Sequence, residues 1–152
     1  MTQKGIDLIK GFEGLCLKAY KCPAGVWTIG YGHTQGVKEG DTITEKEAEN
    51  LLRKDVCNFE INVRAAVVAN LNDYQYDALT SFAYNVGLGA FRKSTLLRLI
   101  NKGNASEDEI RKQFDRWVYA AGKALPGLVR RRKAEADLYF TPLIPDSPEL
   151  KY

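Results

Sequence analysis

Residues 11–34 read GFEGLCLKAYKCPAGVWTIGYGHT. One acid (Glu13), two cysteines (Cys16, Cys22) and a glycine-rich apolar run ending at the sole histidine, His33, follow one another here. Upstream, Thr2 is a fitting N-cap, and Ile6, Ile9 and Phe12 share one face at helical spacing. Gly11 and Gly14 bracket Glu13, so the first helix should end near it. Pro23, Ala24 and Gly25 then signal a turn. Val26 to Tyr31 is β-branched and aromatic, with Trp27, Ile29 and Tyr31 alternating. This predicts a small antiparallel hairpin or three-stranded sheet, ended by Gly36 and Gly40.

Everything after that sheet reads as helix. Thr44-Glu45-Lys46-Glu47 has the pattern of a capping box. Behind it Ala48, Leu52, Val56, Phe59, Val63 and Val67 recur at helical spacing, which predicts one long helix joining two lobes. Asp73 is the expected cap of the next helix, with Leu79, Phe82, Ala83 and Val86 inward and Gly87 as its stop. Ser94 opens a short helix through Leu96, Leu97 and Ile100, stopped by Gly103. Ser106-Glu107-Asp108-Glu109 opens another, and a last one runs from about Gly127 to Tyr139. The tail at 141–152 contains Pro142, Pro145 and Pro148 and reads as irregular. The class is therefore α+β, with a cleft expected between the lobes.

The chain has 152 residues, which suits a single domain with a real core. Its net charge of +3 is mild, and the run Arg130–Lys133 on one helix reads as a solvated face rather than a nucleic-acid site. Three cysteines do not make a disulfide framework, and nothing has zinc-ligand spacing, so no metal or cofactor is expected. No signal peptide and no run of about 20 apolar residues is visible, so stable membrane insertion is not expected.

A carboxyl group shielded from water can hold a proton near neutral pH and give it away, which makes Glu13 a candidate acid; a surface glutamate at a helix end is the plainer alternative. Cys22 stands nine residues further on and Thr28 six beyond that. Cys22 reads as a half-buried thiol or a catalytic group, and Thr28 as a strand former whose hydroxyl could hold a water. A Cys22–His33 peptidase pair lacks a clear third group, so a structural histidine is the better reading. Cys16 and Cys22 are close in sequence, so a disulfide between them would provide redox control if Cys22 is needed.

The blocks FEG, AYKCPAGVWTIGYGHT, ITEKEAENLLRKDV, NDYQYDALTSFAYNVGLGAFRKSTLLRLIN and LPGLVRRRKAEADLYF, taken in order, resemble the lysozymes (endolysins) of tailed bacteriophages over roughly residues 3–140. The resemblance implies a lysozyme-like fold: a sheet-bearing lobe at about 12–43, and a helical lobe at about 70–140 that includes the N-terminal helix. It implies hydrolysis of the β-1,4 bond between N-acetylmuramic acid and N-acetylglucosamine in peptidoglycan, without a cofactor. Glu13 and Thr28 match the family's motif, while Cys22 stands where aspartate is commoner. Glu13 would be the general acid and Thr28 would hold the attacking water. Thr34, Tyr84, Asn85 and Ser94 would contact substrate, and His33 would tie the sheet to the long helix. The expected partner is a glycan strand, met by a monomer that waits in the host cytoplasm until a membrane pore admits it to the wall.

Glycosidases usually use two carboxylates, and the second is missing at its expected place. Two other outcomes stay open at this point. One is lytic transglycosylation with Glu13 as main catalyst; the other is a peptidoglycan-binding module without turnover.

Overall fold

The computed structural model describes residues 1–143. The expectation of an irregular tail therefore lies, from residue 144 onward, outside the described residues.

Helix α1 (Gln3–Glu13) begins at Thr2, whose hydroxyl accepts from the Gly5 N–H, and ends at Gly14 with φ 72°. Ile6 and Ile9 are buried, but Phe12 is 37% exposed. By its last turn the helix has left the core, and the Phe12 ring lies 5.8 Å from the Arg131 guanidinium. β1 (Cys16–Lys21) pairs antiparallel with β2 (Trp27–Gly30), placing Tyr20 opposite Thr28. β2 is shorter than the Val26–Tyr31 stretch because Gly30 turns the chain with φ 67°. A third rung comes from the segment beyond: Ala19 N–H donates to Asp41 O, and Ile43 N–H to Leu17 O, each at 2.9 Å.

The register also decides the disulfide question. Cys16 opens β1 and Cys22 follows its end. Six residues of extended chain at roughly 3.3 Å each put the two far beyond the Cα separation of about 7 Å that a disulfide tolerates. All three cysteines are free thiols. The expected Cys16–Cys22 control is thus excluded by the strand that lies between them.

Helix α2 (Glu45–Ala66) has the expected length and cap. Only half of the capping box forms: Thr44 accepts from the Glu47 N–H, while the Glu47 carboxylate takes the Thr44 hydroxyl instead of its backbone N–H. Ala48, Leu52 and Val56 pack with Ile6, Ile9 and Tyr31 in one core, and Val63 packs in a second, so one helix serves both lobes. Helix α3 (Asp73–Val86) is capped by Asn72, not by Asp73. Asn72 and Gln75 form the complete reciprocal box, and Asp73 becomes the first helical residue, where its charge suits the helix dipole.

The remainder is α4 (Leu88–Lys93), α5 (Thr95–Lys102, capped by Ser94), α6 (Glu107–Asp115, capped by Ser106), a hairpin of β3 (Tyr119–Ala120) and β4 (Lys123–Ala124), and α7 (Pro126–Tyr139). The second core centres on Phe82, whose ring meets Phe91, Phe114 and Trp117 edge-on. Helix α1 is bound to α3 on this side: the Thr2 N–H and hydroxyl both donate to the buried Asp77 carboxylate. At Gly5 a Cβ would lie 2.6 Å from Asp77 Cγ, so only glycine lets the two helices come this close. Burial pushes the Asp77 carboxyl above its usual range, against the pull of the Thr2 donors. The end of α1, and Glu13 with it, is thereby carried to the junction of the lobes.

Candidate active site

A cleft of about 530 Å³ opens at that junction. Glu13, Thr34, Tyr84 and Asn85 line it together with Gly32 and Asp55. Glu13 is 21% exposed, and its Oε1 accepts from Arg131 Nη1 at 2.8 Å. Its Oε2 has no hydrogen-bond donor among the described residues and lies 3.2 Å from where a Gly32 Cβ would stand. Gly32 has φ 89°, a left-handed conformation that side chains resist. Gly32→Ala would therefore both strain the backbone and press on Oε2. We expect it to lower kcat/KM by about tenfold, the equivalent of 1–3 kcal/mol of local strain. Turbidity clearing of cell walls, with circular dichroism to confirm folding, checks this.

Arg131 belongs to the run expected to be solvated, and here the structure corrects the reading. Arg130 and Lys133 are exposed, but Arg131 is 4% exposed and Arg132 fully buried. Their charges are met inside the protein by Glu135, itself fully buried. Glu135 Oε2 takes Arg131 Nε at 3.3 Å and the Ser81 hydroxyl at 2.6 Å; Oε1 lies 2.9 Å from Arg132 Nη1. Burial pushes the Glu135 carboxyl up and Arg132 down, and their mutual attraction opposes both shifts.

Cys22 and Thr28 flank Glu13's neighbourhood on the sheet side rather than lining the cleft itself. Burial first, then the charges of Cys16, Cys22 and Glu13, hold the Tyr20 hydroxyl above its ordinary value, so Tyr20 lies within electrostatic reach of both Glu13 and Cys22. The turn after β1 closes with Cys22 N–H on Val26 O at 3.0 Å and Gly25 N–H on Cys22 O at 2.8 Å. It aims the N–H groups of Val26 and Ala24 at the Cys22 sulfur. Those donors hold the thiol below the usual cysteine range. The Thr28 hydroxyl is buried and donates to Val26 O at 3.0 Å, which leaves its lone pairs for another donor. Because a lowered pKa brings the thiolate in at lower pH, alkylation of Cys22 by iodoacetamide in a Cys16→Ser/Cys57→Ser background should show a midpoint below the ordinary thiol value of about 8.5. A midpoint at or above that value contradicts the geometry.

Among the described residues no group of three or more His, Cys, Asp or Glu is placed to hold a metal ion. No described helix is long and apolar enough to cross a membrane.

A family model described as "Phage lysozyme" matches residues 10–135. The chain belongs to the phage lysozyme family. It is 43% identical over 143 residues to an endolysin of Acyrthosiphon pisum secondary endosymbiont phage 1, with 91% of this chain and 97% of the relative covered. It is 47% identical to an endolysin of Bacillus phage PZA, matching 91% of this chain but spanning only 54% of that longer relative. Among solved structures, the muramidase domain of SpmX from Asticaccaulis excentricus is similar at TM-score 0.86 and 39% identity, covering 93% of this chain and 97% of that one. The fold is thus lysozyme-like, a sheet-bearing lobe and a helical lobe joined by α2.

For a phage lysozyme, the remaining expected residues fall into two groups. His33 ties the sheet to the long helix: Nδ1 bonds Asp55 Oδ2 on α2 at 2.7 Å, and Nε2 bonds Gln35 O at 2.9 Å. Tyr84 lines the cleft and donates to Tyr31 O at 3.0 Å, which commits its hydroxyl hydrogen. Burial pushes that hydroxyl's pKa up, with the Glu13 charge adding to the effect. Ser94 is not brought to the cleft. Its hydroxyl caps α5, accepting from Leu97 N–H and donating to Phe91 O. Arg131 is the site residue that sequence reasoning missed; its only signal was a charge run, which usually marks solvent.

Proposed function

We propose that Glu13 is the general acid of a glycan-cleaving reaction in this cleft, and that the observation carrying it is its asymmetric carboxylate. One oxygen is held by a buried guanidinium, while the other faces the cleft without a protein donor. The chain is a peptidoglycan-lysing endolysin, a glycoside hydrolase of the muramidase type. A glycan strand lies across Gly32 and Thr34 on one side and Tyr84 and Asn85 on the other. Glu13 Oε2 delivers a proton to the glycosidic oxygen between N-acetylmuramic acid and N-acetylglucosamine, and positive charge develops at the sugar carbon. The donors around Cys22 favour its thiolate, which is a weak base. Cys22 therefore suits electrostatic support of that charge better than proton abstraction. Thr28, its own proton given to Val26, accepts from the attacking water and orients it. The Glu13 carboxylate then takes the water's proton and the site is reset.

The protein acts as a monomer on glycan strands, without a cofactor or nucleic acid, after passing from the host cytoplasm through a membrane pore. This part rests on the pattern of the family. Mass spectrometry of fragments released from purified peptidoglycan tests the chemistry. Fragments ending in a normal reducing muramic acid are expected. Fragments lighter by one water would mean transglycosylation, cut stem peptides would point to Cys22 and His33, and no fragments would leave a binding module.

A further inference from the structure

Asn85 lies in the last turn of α3 and its side chain opens on the cleft, but its amide is not free to turn. Arg132 Nη2 donates to Asn85 Oδ1. A guanidinium has only donors, so it can hold the amide by its oxygen alone, and the NH2 group must face away from it. That assignment follows from chemistry and not from telling nitrogen from oxygen. Arg132 is itself immobilised: it is fully buried, ion-paired to Glu135 at 2.9 Å and stacked over the Phe82 ring at 5.1 Å. Among the described residues the Asn85 NH2 has no protein partner. A rigid, buried cation thus sets the orientation of an exposed amide whose two donors are left for something in the cleft.

We propose that Arg132 is a positioning residue for substrate recognition. It locks Asn85 as a donor, and the group that docks on that donor is the acetamido carbonyl of an N-acetylated sugar. The choice among glycan groups follows from what each can do. Hydroxyls both donate and accept, so they would accommodate either face of the amide. A carbonyl only accepts and needs a fixed donor. The inference rests on the reading of Asn85 as a glycan contact.

The test compares kcat and KM on soluble uncrosslinked peptidoglycan chains and on the same chains after chemical N-deacetylation, which replaces the carbonyl by an ammonium that only donates. For the unaltered enzyme, deacetylation should cost about tenfold in kcat/KM through this contact, the scale of one hydrogen bond. Asn85→Asp keeps an oxygen for Arg132 but offers the cleft an acceptor. It should lose about tenfold on acetylated chains and most of the discrimination against deacetylated ones. Arg132→Lys cannot span Glu135 and Asn85 together. It should raise KM several-fold and weaken discrimination with kcat nearly unchanged, whereas a merely structural defect would lower the active fraction and leave KM alone.

Unchanged discrimination in Asn85→Asp overturns the proposal, as does unchanged KM in a folded Arg132→Lys. If Arg132→Lys fails to fold, the Asn85→Asp comparison alone decides. Wild-type kinetics of Asn85→Ala on both substrates would show that Asn85 does not touch the glycan. The contact itself then fails, an outcome distinct from failure of the locked amide.

Discussion

Glu13→Gln lowers kcat on peptidoglycan by about 10²–10⁴-fold, the usual worth of a positioned general acid. The substitution is conservative where it matters for structure. Glutamine keeps an oxygen for Arg131 Nη1, so the 2.8 Å contact can persist while the ionisable proton is gone. The Oε2 position, free of protein donors, becomes an NH2 that cannot release a proton to a leaving oxygen. Turbidity clearing gives the rate, and near-ultraviolet circular dichroism should be indistinguishable from the parent. Near-normal turnover in a folded Glu13→Gln protein would remove Glu13 from the mechanism altogether.

Glu135→Leu gives the largest expected loss of stability, about 3–5 kcal/mol, because it removes one partner from a buried charge cluster and leaves the others. Arg131 would keep Glu13, but fully buried Arg132 would lose its only anion among the described residues. Urea denaturation measures the effect. Adding Arg132→Met to Glu135→Leu should recover a substantial part of the loss, because a buried pair removed together leaves no uncompensated charge. If the double variant is no more stable than Glu135→Leu alone, packing and not charge explains the defect.

The parts of this protein that were legible in its sequence are the parts governed by near neighbours. Thr2, Thr44, Ser94 and Ser106 cap helices as read, because a cap is settled within three residues. The long helix followed from a stripe that both cores use. Asn72 and Asp73 are both good caps, and the choice between them fell to Gln75, whose side chain completes the box for Asn72 only. The β3–β4 hairpin escaped notice because two-residue strands carry no alternation; its one signal is Ala121-Gly122, both at positive φ. Glu13 was marked, but what holds it was not. Its partner Arg131 is 118 positions away, on the buried face of α7 with Arg132, Glu135 and Ala136; the spacing is helical, but the charged residue types pointed to water instead of core. Cys22 was visible as a thiol in a turn. That the turn aims backbone N–H groups at its sulfur is a matter of backbone path, which residue types alone do not specify.

The contact between Glu13 and Arg131 also has a bearing on how the enzyme is made. Glu13 is translated 118 residues before the arginine that holds it, which belongs to α7. At about 5–20 residues per second, the intervening chain takes on the order of ten seconds to translate. Throughout that interval the Glu13 carboxylate lacks the guanidinium that fixes it. Prematurely terminated chains that stop before α7 share the same defect. The support of the Glu13 carboxylate is therefore completed only once α7 has been translated.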